Sequence, residues 1–462
     1  MPANQYDLVV IGSGPAGQKA AICAAKLKKR VAVTDRRGML GGVSLHTGTI
    51  PSKTLREAIL YLSGFSQRTF YGKAYSVKEK ISVQDLAFRV QSVVRREIEV
   101  VRAQLKRNDV DTVAGSARFL DPHTVEIDSG DGKQVVTADH VLIACGSRPA
   151  HDEKIPLDGQ RVCDSDQILG VDHIMREVIV VGAGVIGLEY ASMLTALNVK
   201  VTLIDQRADP LSFVDAEILD TLYYHLRRSG AVLRFGEKVV SVAFEADRNR
   251  VVALLESGKR VHGEGLLYTV GRQANSDLIN VAAAGLGPDD RGRLRVNEFF
   301  QTDVSHIYAA GDVIGFPALA SSSMEQGRLA SCHMFGIGCA SRPELFPYGI
   351  YTIPEISMVG KTEQQLTAER IPYEVGVAKY EELAKAQMLG DETGLLKLLF
   401  DPDSKKLLGV HVIGERAAEI VHIGQAVLSL GGTLDYFRDT VFNYPTLAEA
   451  YKVAALDGLN KL

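Results

Sequence analysis

Residues 41–58 hold the side chains with the most chemical promise. They read Gly41-Gly42-Val43-Ser44-Leu45-His46-Thr47-Gly48-Thr49-Ile50-Pro51-Ser52-Lys53-Thr54-Leu55-Arg56-Glu57-Ala58. The paired glycines let backbone come close to something bulky. Pro51 suits a helix start, and Leu55 to Leu62 continue in helical rhythm. A lysine near that start is unusual, because the positive end of the helix dipole repels it. Lys53 therefore reads as a placed cation rather than a solvated one.

Two further stretches carry glycines in a phosphate-binding pattern. Tyr6–Ile11 is a strand of buried type, followed by Gly12-Ser13-Gly14-Pro15-Ala16-Gly17, an alanine-rich helix and the strand Val31–Thr34 ending at Asp35. Strand, glycine turn, helix, strand and terminal acid together describe a dinucleotide-binding unit. The first glycine allows the tight turn, the second lets backbone approach a pyrophosphate, and the third lets helix and strand pack closely. The helix N-terminus faces the phosphates. Asp35 can take both hydroxyls of an adenosine ribose.

The pattern recurs. Val178–Val181 leads into Gly182-Ala183-Gly184-Val185-Ile186-Gly187, a helix through Leu197, and the strand Val199–Ile204 ending at Asp205. The interval from first glycine to acid is 23 residues in both copies. Two copies at one spacing mean two dinucleotide sites. Asp205 favours NAD(H), since it accepts from a 2′-hydroxyl and repels a 2′-phosphate. Arg207, two residues on, could hold that phosphate. It reads equally well as plain surface charge.

These residues need a scaffold, and the chain supplies it twice. Asp139–Pro149 resembles Glu264–Gln273, and each closes a small antiparallel excursion with turn residues at 128–132 and 247–249. The two domains are expected to be built alike, one inserted into the other. Residues 85–107 carry apolar side chains at Leu86, Val90, Val93, Val94, Ile98, Val101 and Leu105, which makes a long amphipathic helix packed on its own domain. From about Gly349 the pattern becomes α+β, with strands at Tyr351–Val359, Gly394–Phe400 and Leu407–Ile413.

Composition excludes several classes. At 462 residues the chain has room for about three domains. A net charge of −4 gives no electrostatic case for nucleic acid. The cysteines at 23, 145, 163, 332 and 339 show no CxxC spacing and read as reduced, mostly buried thiols of a cytoplasmic protein. A strand by about Tyr6 leaves no room for a signal peptide, and no apolar run reaches membrane-spanning length. His411, Glu415, Glu419 and His422 do not set two histidines one helical turn apart, so no metal site is expected.

The Gly41–Lys53 stretch resembles the active-site segment of the FAD-dependent pyridine nucleotide-disulfide oxidoreductases, such as lipoamide dehydrogenase and glutathione reductase. There the pattern is Gly-Gly-x-Cys, four residues, Cys, then Ile-Pro-Ser-Lys. Ser44 and Thr49 stand in the two cysteine places, so no redox disulfide can form here. Thr302–Asp312 resembles the family's second flavin fingerprint, which implies that Asp312 holds the ribityl chain of FAD through a charge-assisted hydrogen bond. Tyr444-Pro445-Thr446-Leu447-Ala448-Glu449 matches the family's His-Pro-Thr-x-x-Glu. Tyr444 replaces the proton-shuttling histidine, and Glu449 matches the acid that orients it. Tyrosine, with an unperturbed pKa of about 10, is a poor shuttle near neutral pH. The resemblance also implies that Glu189 pairs with Lys53 beside flavin N5.

The implied fold is α/β, with two Rossmann-like dinucleotide-binding domains and a C-terminal α+β dimerisation domain. Residues 1–150 and 276–348 would form the FAD-binding domain, 151–275 the NAD(P)-binding domain, and 349–462 the interface domain of a homodimer or larger homo-oligomer. Implied cofactor contacts are Gly12, Gly14, Gly17, Asp35, Arg36, Gly42, Lys53, Ala117, Gly146, Gly311, Asp312 and Ala320, with Gly182, Gly184, Gly187, Asp205, Arg207 and Gly271 at the nicotinamide nucleotide. Within the family, Gly48-Thr49-Ile50-Pro51 and Asn443-Tyr444-Pro445-Thr446 are similar to the transhydrogenating members. The implied cofactors are FAD, NAD(H) and NADP(H), and the implied reaction is NADPH + NAD⁺ ⇌ NADP⁺ + NADH, ping-pong through the flavin. Two alternatives stay open: an NAD(P)H:quinone or dye oxidoreductase, and a non-enzymatic flavin-bearing assembly module.

Overall fold

The computed structural model describes residues 4–72, 74–338 and 345–462, and Cys339 lies outside them. The chain divides into two compact units. One comprises Met1–Leu55, Ala87–Ala150 and Gly271–Pro343, the other Arg56–Leu86, His151–Val270 and Glu344–Leu462.

The first unit is organised on the strand Gln5–Ile11, which pairs in parallel with Val31–Asp35 on one side and Lys133–Ile143 on the other. Leu8, Val9 and Val10 are all fully buried, as a consecutive apolar run requires of a strand covered on both faces. Leu8, Val10, Ala20, Ala21 and Val31 form the core on one face. Val9, Ile11, Phe119, Val141 and Ile143 form the core on the other. The excursion Ser116–Asp121, Thr124–Asp128 and the start of Lys133–Ile143 is antiparallel, and it turns at the glycines of 128–132. Ile307–Ala309 then joins Lys133–Ile143 in parallel and delivers Gly311 and Asp312 at its end. The helix Ala320–Met334 packs tightly on the helix Pro15–Lys26. A Cβ at Gly327 would fall 2.1 Å from the Ala16 carbonyl oxygen, so only glycine permits this approach.

The segments that read as echoes of one another turn out to touch. Ser147, Arg148 and Pro149 oppose Ala274, Gln273 and Arg272 in a two-stranded antiparallel ribbon.

In the second unit, Glu177–Val181 lies in parallel between Lys200–Asp205 and Gly265–Tyr268. Val232–Phe235 and Val162–Asp164 complete that sheet. Its excursion, Val239–Glu245, Arg250–Leu255 and Arg260–Gly263, forms a separate three-stranded sheet rather than an extension of the main one. The C-terminal part of the unit is a five-stranded antiparallel sheet in which Leu407–Ile413 lies between Ile356–Gly360 and Leu395–Phe400. Helices Ala417–Ser429 and Glu449–Leu459 share a core with it.

Three local expectations shift. Of the strand foreseen over Tyr351–Val359 only the second half forms, in Ile356–Gly360, with Pro354 just before it lacking the N–H a ladder needs; a short strand Tyr348–Ile350 precedes the foreseen range. The helix foreseen to start at Pro51 spans Thr49–Ser63, which puts Lys53 in its second turn. The amphipathic helix begins two residues early, at Val83, and ends at Arg107. No helix among the described residues is long and apolar enough to cross a membrane.

Lys397 is fully buried in the second unit. Its ammonium lies 3.0 Å from Asp215 Oδ1 and 2.9 Å from Glu217 Oε2, and it also bonds Glu363. These three carboxylates are the one group among the described residues spaced closely enough to hold a metal ion, and Lys397 sits on them. Burial alone would lower the lysine's affinity for its proton, but the carboxylates reverse that and raise it. His411 is buried in the strand Leu407–Ile413 with Nε2 on the Lys361 carbonyl.

Candidate functional site

The two glycine turns superimpose in their chemistry. Gly12 N–H donates to Thr34 O and Gly182 N–H to Ile204 O, each at 2.8 Å. Both first glycines have positive φ, +109° and +101°, and a Cβ there would meet the Ala144 carbonyl oxygen at 2.2 Å or that of Thr269 at 2.6 Å. A Cβ on the third glycine, Gly17 or Gly187, would fall 1.9 or 1.8 Å from the first glycine's carbonyl oxygen. The middle glycines differ from both: at Gly14 and Gly184 a Cβ would meet nothing within 4 Å. This open side is where a ligand's backbone-hugging phosphates would lie. Gly14 and Gly184 are also the N-caps of the helices Pro15–Lys26 and Val185–Ala196, and neither helix has a side-chain cap. Their first N–H groups thus point to an open, positive end suited to a pyrophosphate.

The terminal acids hold the turns. Asp35 Oδ2 accepts from Ser13 N–H at 2.8 Å and Ser13 Oγ–H at 2.6 Å, while Oδ1 accepts from Arg36 N–H at 2.8 Å. Asp205 Oδ2 accepts from Ala183 N–H at 2.7 Å, the equivalent bond. Asp205 differs in being covered. Arg207 gives Oδ1 its backbone N–H at 2.8 Å and its Nε at 2.9 Å, and gives Oδ2 its Nη2 at 2.8 Å. Burial pushes the Asp205 carboxyl up, but the bonds from Arg207 and Ala183 outweigh it and hold the acid below its ordinary range. Arg36 contributes only backbone, and its side chain is exposed.

The Gly41–Gly42 segment lies against the first turn. Gly41 N–H donates to Ser13 Oγ at 2.9 Å, and a Cβ at Gly42 would sit 3.0 Å from Gly14 Cα. Ser44 turns its hydroxyl onto the Gly41 carbonyl at 3.0 Å. His46 Nε2 bonds the Leu40 carbonyl at 3.0 Å. Asp312 stands at the end of its strand with Oδ2 accepting from Ser147 Oγ–H at 2.7 Å. Arg272 in turn fixes Ser147, through Nε to Oγ and Nη2 to the carbonyl, both at 2.8 Å. Gly311 N–H is held by Gln326 Oε1 at 2.9 Å. Ala117 lies buried in the strand Ser116–Asp121, Gly146 and Gly271 flank the two-stranded ribbon, and Ala320 opens the helix that ends at Met334.

In the second unit Glu189 is 3% exposed, so it is no ordinary surface helix residue. Its Oε1 accepts from Tyr351 N–H at 2.9 Å, and Ser192 Oγ accepts from Ile353 N–H at 3.0 Å. The segment they hold is also clamped by buried Arg56, which reaches Thr352 O at 3.2 Å and Glu355 at 3.1 Å. Tyr444 is 72% exposed, and Glu449 Oε2 is a buried oxygen with no partner among the described residues. The cysteines at 145 and 163 are inert in character: burial pushes both thiols up to about 12.

Sequence reasoning missed Ser13, Ser147, Arg272, Arg56 and Gln326. Ser13 was signalled by its place inside the glycine turn. Ser147 and Arg272 sat in the echoed segments but carried no sign that they would meet.

Taken together, a doubly repeated dinucleotide turn and a C-terminal antiparallel sheet define a two-nucleotide oxidoreductase fold. The chain belongs to the pyridine nucleotide-disulphide oxidoreductase family, whose model matches residues 6–327, and the family's dimerisation domain matches residues 346–455. It is 53% identical over 461 residues to a protein of Mycobacterium bovis named soluble pyridine nucleotide transhydrogenase, covering 99% of this chain and 98% of that one. A protein of the same name from Colwellia psychrerythraea is 46% identical over 464 residues, with the same coverage. Among solved structures it is similar to LpdA from Mycobacterium tuberculosis, with a TM-score of 0.89, 26% identity, and 98% and 99% of the two chains covered. The HOCl-induced flavoprotein disulfide reductase RclA from Escherichia coli shares the fold at a TM-score of 0.87 and 24% identity, over 98% and 99% of the chains.

Proposed function

We propose that this protein is an FAD-dependent NAD(P)⁺ transhydrogenase, NADPH + NAD⁺ ⇌ NADP⁺ + NADH, working in the cytoplasm as a homodimer or larger homo-oligomer. The observation that carries this reading is the Asp205–Arg207 pair. An acid suited to a 2′-hydroxyl and a guanidinium suited to a 2′-phosphate share the end of one strand, so one pocket can serve both nucleotides. The names borne by relatives at 46–53% identity support the same reading.

The first turn is assigned to FAD through Gly12, Gly14, Gly17, Asp35, Arg36, Gly42, Ala117, Gly146, Gly311, Asp312 and Ala320. The second takes the nicotinamide nucleotide through Gly182, Gly184, Gly187, Asp205, Arg207 and Gly271. FAD, when bound, supplies a hydride acceptor and donor for nicotinamide. Lys53 is the cation that would steady the negative charge delivered with the hydride, and the family resemblance assigns the acid's part to Glu189, which is buried. The overall exchange neither takes up nor releases a proton, which suits the replacement of the family's histidine by exposed Tyr444 beside Glu449. It also needs no dithiol, and Ser44 and Thr49 supply none. Catalysis then rests mainly on positioning.

One nicotinamide pocket implies ping-pong kinetics. Protein treated with NADPH, stripped of nucleotide without air, and mixed with NAD⁺ should form NADH in a single turnover. Double-reciprocal plots should be parallel. Intersecting plots together with no single-turnover NADH would require a second nucleotide site and defeat the proposal. A quinone outpacing NAD⁺ by orders of magnitude in the same mixing would give the function to the acceptor-reductase reading.

A further inference from the structure

The helices Pro15–Lys26 and Ala320–Met334 bring together two cysteines that are 309 positions apart, with Cys23 Sγ 3.8 Å from Cys332 Sγ. Neither forms a disulfide among the described residues. We propose that Cys23 and Cys332 are a peroxide-sensitive pair, which a hydroperoxide converts to a disulfide joining these two helices.

The sulfurs are already in van der Waals contact. A disulfide needs about 2.05 Å, so each sulfur must move by roughly 1 Å, within the reach of a side-chain rotation. Gly327 lets its helix lie directly on Ala16, which brings the two helices together on this side. The two thiols are unequal in a useful way. Cys23 is partly exposed and can meet a dissolved oxidant, whereas Cys332 is 5% exposed. Arg328 Nη1 lies 3.9 Å from Cys332 Sγ, a cation placed to support a nucleophilic sulfur, and Glu325 steadies that guanidinium. Cys163 lacks this setting: its sulfur faces the Leu266 carbonyl at 3.8 Å.

The chemistry balances with a hydroperoxide as the oxidant. The Cys23 thiolate attacks the outer peroxide oxygen, the O–O bond breaks, and an alcohol or water leaves after protonation. Cys23 is now a sulfenic acid. The Cys332 thiolate attacks Cys23 sulfur, the S–S bond forms, the S–O bond breaks, and hydroxide leaves as water. Two thiols lose two electrons and the peroxide gains them. Neither cysteine lies in the Gly41–Lys53 segment, and hydride exchange does not use them.

The test takes the FAD-loaded protein, treats it with hydrogen peroxide, labels remaining thiols with N-ethylmaleimide in denaturant, and maps an unreduced digest by mass spectrometry. The expected result is a Cys23–Cys332 cross-linked peptide, with both residues lost from the labelled set and both restored by dithiothreitol. In Cys23→Ser, Cys332 should stay labelled. In Cys332→Ser, oxidation should stall at a Cys23 sulfenic acid that dimedone traps. Both thiols still labelled under excess peroxide would overturn the proposal. So would a cross-link from Cys23 to Cys339, or a parent protein in which Cys23 passes to the sulfinic acid while Cys332 remains labelled.

Discussion

Arg207 folds back on Asp205, Nε to Oδ1 at 2.9 Å and Nη2 to Oδ2 at 2.8 Å. The acid is buried and the arginine side chain is about half exposed, so the fork presents its outer edge to solvent. Asp35, at the same place in the first repeat, is held by Ser13 and by the backbone of Arg36, with no guanidinium on it among the described residues. The repeats share a turn but differ in charge at the spot where a ribose would lie. Arg207 is thus the lid on an acid, and in the proposed function it is also the phosphate anchor.

Replacing Arg207 with alanine should raise KM for NADPH by roughly tenfold or more, equivalent to about 1.5–3 kcal/mol for a lost charged hydrogen bond. The bared Asp205 would add repulsion toward the 2′-phosphate. KM for NADH should stay nearly constant. Equal changes for both nucleotides in steady-state assays would return Arg207 to a purely structural partnership with Asp205.

Asp312→Ala should weaken FAD binding by about 1.5–3 kcal/mol, measured by titrating apoprotein with FAD. Ser147 touches the same carboxylate and only orients it. Ser147→Ala should therefore cost less, about 1 kcal/mol. A Ser147 effect as large as that of Asp312 would mean that the ribbon, not the carboxylate, holds the cofactor.

Lys53→Met should slow the bleaching of flavin by NADPH far more than it weakens nucleotide binding, because the charge acts late in the step. Glu189→Gln should slow the same phase. Stopped-flow absorbance separates rate from affinity, and parent-like rates in both variants would leave the two residues structural.

Lys397→Met strands three carboxylates around a methyl group and should destabilise the protein by about 3 kcal/mol at pH 7, as removal of one buried charge partner does. The sign with pH follows. In the parent, the lysine's proton affinity is raised on folding, so its contribution is complete below the unfolded value near 10 and fades only as pH rises through the folded one. Denaturant melts should therefore show the gap between parent and variant narrowing as pH rises above about 10. A gap that stays constant through that range would show that Lys397 gains nothing from its carboxylates.

The local units were legible without the fold. Each glycine turn, its helix and its closing acid lie within 24 residues, and their backbone demands are met by contiguous sequence. The two strands flanking each turn announced themselves as buried apolar runs for the same reason. Pro354 could have warned of the broken strand, since a missing N–H is also a local property.

What lay beyond reach was every partnership made across the chain. Ser147 meets Asp312 from 165 positions away because Ile307–Ala309 joins the sheet beside Lys133–Ile143. The echoed tails at 147–149 and 272–274 looked like copies, and only the pairing of strands made them partners. Cys23 and Cys332 show no spacing motif at all, and the packing of two helices put their sulfurs in contact. Even Arg207, close in sequence, could have pointed to solvent; the buried acid, which needs a counter-charge, drew it inward. The sequence alone determined which backbone turns exist and what they can hold, because steric limits act within a few residues. The tertiary structure decided which side chains complete them, because burial and charge compensation depend on neighbours that chain order does not name.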